Sequence, residues 1–465
     1  MYNINMKLYI GRKKEFAILE SKWNTEGFSF GVLYGRRRVG KTSLLYNFLK
    51  GKKAIFLQST KDMNYNLLKL SSAIGKIFFD NPDIPPYASF ASALSAIVKN
   101  AGKERIALVF DEISYLAESD KTILSVLQSF VDQEFRETNL FLILCGSNMS
   151  FMERDLLGVN SPVYGRRTFQ IKLQPFLINE TASMLNAWSL EDIATAHAIT
   201  EGIPYYLSFF KEHKSIEEAI EAEFFTAGGR LYTESRLYLM MELRSLELYD
   251  SILSLLAAGC NEVSIIADKS KKDKSSVSQA LQKLTELGIV RKKKKIAGKG
   301  IDRGWLFADG YFHFFYRYVY PYSEMIELGS GNALLKKALS ELPAFVGHRM
   351  ENVFHKYILM NSPYLIREIG NMEFPDRETR KSEEIDLVAV TAEGTMLFGE
   401  CKWKSEPIGK ESYEELQRRS YLAFPSIDAK AYYILSRSGF KDDIRKIAED
   451  SNGTITLIEG KDLII

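Results

Sequence analysis

The chain has 465 residues, 46% of them hydrophobic and 26% charged, with a formal net charge of +2. That length exceeds one hydrophobic core and sets an expectation of roughly two to four globular domains, while a near-neutral balance names no partner by itself. The three scattered cysteines, Cys145, Cys260 and Cys401, exclude a disulfide framework or a zinc site and point to a reducing compartment.

Met1-Tyr2-Asn3-Ile4-Asn5-Met6-Lys7 lacks the basic region, apolar core and cleavage site of a signal peptide. No apolar run approaches the roughly 20 residues that a membrane span needs, and a cytoplasmic location with no membrane partner is expected. Residues 9–20 read as a turn into an amphipathic helix, with Arg12 and Glu15 one helical turn apart. Next, Phe28–Tyr34 has strand character, and Ser43–Lys50 carries apolar residues at helical spacing. Between them Gly35-Arg36-Arg37-Arg38-Val39-Gly40-Lys41-Thr42 fits G-x-x-x-x-G-K-[ST]. Strand, glycine turn and helix N-terminus make a phosphate cradle, because turned-in N–H groups and the helix dipole favour negative charge. Gly35, Arg36, Val39, Gly40, Lys41, Thr42 and Ser43 are the expected nucleotide-binding set. Lys41 reaches the outer phosphates and the Thr42 hydroxyl holds Mg²⁺. Arg12 and Glu15 then read either as a solvated pair or as a cover on the adenine side.

Lys53–Gln58 reads as a second strand, and Asn81–Pro86 as a loop. The apolar strand Ile106–Phe110 ends in Asp111-Glu112, an acid pair at a strand tip downstream of the phosphate loop. Asp111 is expected in the Mg²⁺ shell, and Glu112 as the group that polarises the attacking water. Leu140–Cys145 is another buried strand, ending in Gly146-Ser147-Asn148. Ser147 and Asn148 are equally placed to sense the terminal phosphate or orient the water. Arg166 and Arg167 precede a further strand, and either one is a candidate arginine finger.

Strand, phosphate loop, second strand, Asp-Glu strand, polar-tip strand and arginine strand resemble the AAA+-related, signal-transducing (STAND-like) ATPases. Within these the chain resembles the archaeal-type ATPase family, on Tyr9–Leu19, Gly35–Ser43, Leu108–Glu112, Gly146–Met152, Ser161–Thr168 and Leu173–Phe176. Gly202-Ile203-Pro204-Tyr205-Tyr206-Leu207 resembles the glycine-proline signature of that clade's helical lid. The resemblance implies ATP as the nucleotide and a switch-like ATPase with slow turnover.

Residues 245–310 read as a winged helix. Leu248–Ala257 and a short helix from Val263 come first, followed by Ser275–Leu287, capped at Ser275 and closed by Gly288. Two strands around Ala297-Gly298-Lys299-Gly300 form the wing, which carries the basic run Arg291–Lys295. In such a fold the third helix enters the major groove of DNA and the wing tracks phosphates. Ser276, Ser278, Gln279 and Gln282 suit that helix face. The other reading is a packing domain with a solvated lysine face. An exposed wing favours DNA, and a wing buried on another domain favours protein packing. Tyr311–Pro321, aromatic at nearly every position, reads as core or interdomain packing.

The last segment carries a second chemistry. Ala344–Phe354 is helical and bears Glu351; Glu384–Val390 and Thr395–Trp403 are strands joined by a hairpin loop. Folding about that loop sets Asp386 opposite Gly399 or Glu400, and Glu400 and Lys402 share one strand face. Two carboxylates and a lysine at one sheet edge suit Mg²⁺-assisted attack on a phosphodiester. The segment resembles the PD-(D/E)xK nucleases, with Ile385 where proline is common. By that resemblance Asp386, Glu400 and Lys402 are catalytic, and Glu351, Asp386 and Glu400 are metal ligands.

The expected fold class is α/β multidomain: a P-loop NTPase three-layer αβα core with helical lid, winged helix, and restriction-endonuclease-like α/β domain. The expected boundaries are 1–175, 176–240, 241–325 and 335–465. The expected cofactors are ATP and Mg²⁺. The expected partner is DNA, through the winged helix and C-terminal domain, with a protein partner or homo-oligomer as a further expectation. The alternative is an ATP-dependent protein-interaction adaptor whose nuclease-like domain is silent.

Overall fold

The structure is a computed structural model that describes residues 10–243, 245–376, 381–428 and 430–464. The N-terminal stretch Met1–Lys7 and Tyr9 lie outside the described residues. The chain divides into two compact units, Met1–Pro175 and Phe176–Ile465.

The first unit runs α1 (Lys13–Trp23), β1 (Ser29–Tyr34), α2 (Lys41–Phe48), β2 (Ala54–Gln58), α3 (Met63–Phe79) and α4 (Phe90–Ala101). It continues with β3 (Ile106–Asp111), α5 (Ile113–Ser119), α6 (Ile123–Gln133), β4 (Leu140–Gly146) and β5 (Phe169–Lys172). The strands form one parallel sheet in the order β2-β3-β4-β1-β5. Every residue of β1, β3 and β4 is buried, which is why these strands are continuous apolar runs rather than alternating ones. Because β4 lies between β1 and β3, its tip stands between the phosphate loop and the Asp-Glu pair, on the edge where open α/β sheets bind ligands. At the opposite edge the Arg105 guanidinium donates to the Lys22, Trp23 and Asn139 carbonyls and to the Ser29 hydroxyl.

The second unit begins with five helices, α7 (Ile178–Met184), α8 (Leu190–Thr200), α9 (Pro204–Phe210), α10 (Ile216–Phe224) and α11 (Arg230–Glu242). The winged helix follows as α12 (Glu247–Ala257), α13 (Val263–Ser270), α14 (Lys274–Glu286) and the antiparallel pair β6 (Val290–Lys292) and β7 (Trp305–Phe307). The cap of α14 is Asp273, not Ser275: its carboxylate accepts from the Ser276 N–H at 2.8 Å and the Ser276 hydroxyl at 2.6 Å. Two short helices, α15 (Gly310–Phe314) and α16 (Ser323–Glu327), bracket the aromatic stripe, whose Tyr311, Phe312 and Phe314 are fully buried. Then α17 (Gly331–Asn361) runs 31 residues with Pro343 inside it, so the boundary expected at 335 falls within one helix.

The C-terminal sheet comprises β8 (Ile366–Pro375), β9 (Ser382–Thr391), β10 (Met396–Lys402), β11 (Lys430–Ser436) and β12 (Ile455–Glu459), with α18 (Lys410–Ala423) and α19 (Asp442–Asp450) between its last strands. Its order is β12-β11-β10-β9-β8, antiparallel on the β8–β10 side and parallel beyond.

One buried guanidinium joins the parts of this unit. Arg349 of α17, 3% exposed, is ion-paired with Glu201 at the end of α8 and donates to the carbonyls of Phe307 and Ala308 at the end of β7. Lys356 lies 3.6 Å from the same carboxylate, and the Gly310 N–H donates to it at 3.2 Å. Burial pushes the Glu201 carboxyl up, but Arg349 and Lys356 outweigh it and bring the group from 4.5 down to about 2. A depressed carboxyl stabilises the fold only while ionised, so its contribution is full above the ordinary value and is lost as pH falls toward about 2. Glu201→Gln is expected to lower stability at neutral pH by about 3–5 kcal/mol, since it leaves Arg349 buried without its counter-ion. Denaturant unfolding as a function of pH checks this: the native chain is expected to lose Glu201's share of its stability as pH falls from 4.5 toward about 2, and the variant is expected to lack that part of the decline.

Candidate functional site

The phosphate loop begins where β1 ends. Gly35 adopts a φ of +155°, and a Cβ there would meet the Leu173 carbonyl oxygen at 2.3 Å, so only glycine passes. Gly40 caps α2 with a φ of 92°, and Arg38 also holds a left-handed φ of 70°, which aims the loop backbone around a concave centre. Lys41 is buried, and its ammonium donates to the Gly35 and Arg36 carbonyls at 3.0 Å each. Burial lowers the ammonium below its ordinary value, while Cys145, Glu112 and Asp111 pull the other way.

The Thr42 hydroxyl donates to Asp111 Oδ2 at 2.8 Å, which sets two hard oxygens side by side at the mouth of the loop. Glu112 follows with a left-handed φ of 53°, a sparsely populated conformation for a side-chain-bearing residue. Its carboxylate is grasped from the tip of β4: the Ser147 hydroxyl lies 2.8 Å from both oxygens, and the Ser147 N–H is 3.2 Å from Oε2. Asn148 instead accepts from the Phe151 N–H at 3.1 Å, opening the turn that follows. The two polar residues at that tip are therefore not equivalent, and Ser147 is the one that meets the acid.

Arg12 sits against the loop rather than in solvent, donating to the Val39 carbonyl at 2.9 Å and lying 3.7 Å from Glu15. Arg37 donates to the Tyr115 hydroxyl at 3.0 Å. Of the two finger candidates, Arg166 is held by both carboxylate oxygens of Asp132 at 2.8 and 2.7 Å and donates to the Pro162 and Tyr164 carbonyls. Arg167 is half-buried. Asp132 could not be picked out from sequence, because it lies 34 residues away, on α6.

In the C-terminal sheet Gly399 pairs with Leu387, which brings Asp386 beside Glu400 at the next step. Asp386 Oδ2 accepts the Cys401 N–H at 2.8 Å, and the His355 ring nitrogen donates to the Asp386 carbonyl at 2.6 Å. Burial pushes the Asp386 carboxyl up to about 7, helped by Glu400 and Glu351. The acids nevertheless have separate engagements: Glu400 is ion-paired with Lys402 and lies 3.4 Å from Arg419, and Glu351 lies 3.0 Å from His348. Among the described residues no group of three or more His, Cys, Asp or Glu side chains is gathered to hold a metal ion. Arg419, a cation on α18 that the E-x-K spacing gives no sign of, pairs with Glu400 and also reaches Glu383 and Glu415.

Residues 9–210 match the model of an ATPase domain found predominantly in Archaea. Residues 315–417 match a family of archaeal and bacterial proteins of unknown function. An uncharacterised protein of Methanocaldococcus jannaschii is 25% identical over 98% of this chain and 100% of its own length. An ATP-binding protein of the same archaeon is 51% identical over 11% of this chain and 86% of its own length. A Walker-type ATPase of Pyrococcus abyssi superposes with a TM-score of 0.48 at 21% identity, covering 66% of this chain and 96% of that one.

In the second unit the wing is seated on the C-terminal sheet. Ile296 joins the apolar core of Met372, Phe374 and Ile385. Lys293 pairs with Glu373 at 2.7 Å, Lys299 donates to the Ala423 carbonyl at 2.8 Å, and the Ala297 N–H donates to Glu368 at 3.0 Å. Two lysines of the basic stretch are thus engaged within the unit, while Lys292, Lys294 and Lys295 stay exposed. On α14 Ser278, Gln279 and Gln282 are exposed, whereas Ser276 is turned to its cap. No helix among the described residues is long and apolar enough to cross a membrane. Placing a charge in the docked core should release the wing: Ile296→Asp is expected to expose the Lys292–Lys299 stretch to limited trypsin digestion while the native chain resists there. Identical digestion patterns would show that the wing is not held by this contact.

Proposed function

We propose that the chain binds ATP with Mg²⁺ in the cradle of its first unit and hydrolyses it slowly, and that its C-terminal domain binds rather than cuts. The observation that carries the reading is the clamp of Ser147 on both oxygens of Glu112, beside Thr42 and Asp111 at 2.8 Å. That oxygen pair suits Mg²⁺, which is usually held by one or two protein oxygens together with phosphate and water. When bound, the ion supplies the positive charge that neutralises the outer phosphates. Lys41 exchanges the Gly35 and Arg36 carbonyls for phosphate oxygens, Glu112 orients the attacking water, and Ser147 keeps the carboxylate aimed. Arg167 is the better candidate for a finger, since Arg166 is bound bidentately by Asp132. ATP as the nucleotide follows from the family, and one relative is described as ATP-binding. Slow, switch-like turnover with a mobile lid follows from the resemblance of Gly35–Ser43 and Gly202–Leu207 to that clade.

The second half of the reading rests on the separately engaged acids and the docked wing. With Glu400 held by Lys402 and Arg419, no metal-dependent cleavage step is drawn for Asp386, Glu400 and Lys402. DNA contact is assigned to the open face of α14, where Ser278, Gln279 and Gln282 stand exposed, with Lys292, Lys294 and Lys295 as phosphate contacts.

Nucleotide binding and phosphate release, measured on purified variants, test the first half. Lys41→Ala is expected to lose ATP binding. Glu112→Gln is expected to keep binding and lose hydrolysis by about a hundredfold or more; full turnover in that variant would contradict the assignment. For the second half, the native chain is expected to leave DNA intact with Mg²⁺ or Mn²⁺. Cleavage that disappears in Lys402→Ala would overturn the binding-only reading.

A further inference from the structure

Away from both sites, the second unit contains a groove of about 920 Å³ between α11, α12 and the aromatic turn after α15. One wall is apolar and open to solvent: Leu237 and Met240 of α11 are 48% and 59% exposed. The facing wall is aromatic, with the Phe315, Tyr316 and Tyr320 rings 4.9–6.2 Å apart. The charges are unbalanced. Among the described residues Glu247, Asp250 and Glu327 line the groove against Arg236 alone. Asp250 accepts from the Tyr316 hydroxyl, and Glu327 from the Tyr232 hydroxyl at 3.0 Å, so these carboxylates are fixed against the rings. The Ser254 hydroxyl, buried in the lining, has no hydrogen-bond partner among the described residues.

We propose that this groove binds a basic amphipathic helix presented by a partner protein. Phe315 and Tyr316 are buried behind Tyr320, which is 37% exposed, and a carboxylate near that open ring suits a lysine or arginine, which gains both ion pairing and attraction to the ring face. Methionine and leucine next to them accept the apolar side of a helix, and methionine adapts to varied side chains. From Tyr232 to Met240 the α11 wall is about 12 Å long at the helical rise, enough for about two turns of a docked helix. Nucleic acid is disfavoured, because the three carboxylates repel phosphate. The inference does not depend on the nucleotide site or on the wing.

The test is fluorescence anisotropy of the full chain with a labelled Leu/Lys peptide of about 15 residues, long enough to be helical. A Glu-for-Lys counterpart and a single-stranded oligonucleotide serve as rivals. The Leu/Lys peptide is expected to bind, and Glu247→Lys/Glu327→Lys and Leu237→Ser/Met240→Ser are each expected to weaken it about tenfold or more. These positions lie at the exposed surface, and unchanged circular dichroism is expected to show that the variants fold. Absence of binding, equal binding of the Glu peptide, displacement by the oligonucleotide, or folded variants with unaltered affinity would each overturn the proposal. So would self-association of the native chain that the same variants abolish, since the groove would then belong to a second copy.

Discussion

The first unit depends on how a carboxylate is held at the end of a buried strand. Glu112 leaves β3 in a left-handed conformation that costs energy, and the Ser147 hydroxyl, 2.8 Å from both carboxylate oxygens, together with the Ser147 N–H at 3.2 Å, fixes where those oxygens point. Sheet order makes this possible. Because β4 is inserted between β1 and β3, its tip faces the loop on one side and the acid on the other. A different strand order would separate Ser147, Asp111 and Lys41, although each strand would still read as the same apolar run.

The second unit is organised by a buried charge. Arg349 engages both terminal nitrogens of its guanidinium, with the carboxylate at the end of α8 and two carbonyls at the end of β7, so helices, winged helix and C-terminal domain meet at one residue. Removing either partner would leave the other charge without compensation in a water-poor place. The docked wing adds an apolar contact through Ile296 and an ion pair through Lys293. A stretch that reads as a phosphate-tracking arm is therefore also an internal strut. That is why the proposed DNA surface contracts to α14 and the remaining exposed lysines.

Much of the first unit was legible because its signals are local. The glycine turn is bounded by an apolar strand and a helix within a few residues, and Asp111-Glu112 ends an unbroken apolar run. The choice between Ser147 and Asn148 was not legible, since it depends on a contact across 35 residues. In the C-terminal domain the hairpin arithmetic left Asp386 opposite Gly399 or Glu400, and the pairing of Gly399 with Leu387 decides for Glu400. The pairing of Glu400 with Arg419 and of Glu351 with His348 was not legible either, because the motif spacing contains neither cation. The docking of the wing, between segments 80 residues apart for Lys293 and Glu373, has no local signature. Nor does the continuity of α17 through Pro343, where a helix break is the ordinary expectation.

In the proposed mechanism Ser147 aims Glu112 without touching the nucleotide. The most direct measurement is steady-state and single-turnover ATP hydrolysis by Ser147→Ala beside an equilibrium measurement of ATP affinity. The rate is expected to fall by about tenfold or more with ATP affinity unchanged, since an interaction that acts only on the transition state lowers kcat alone. An unaltered rate, or a loss wholly in ATP affinity, would contradict it.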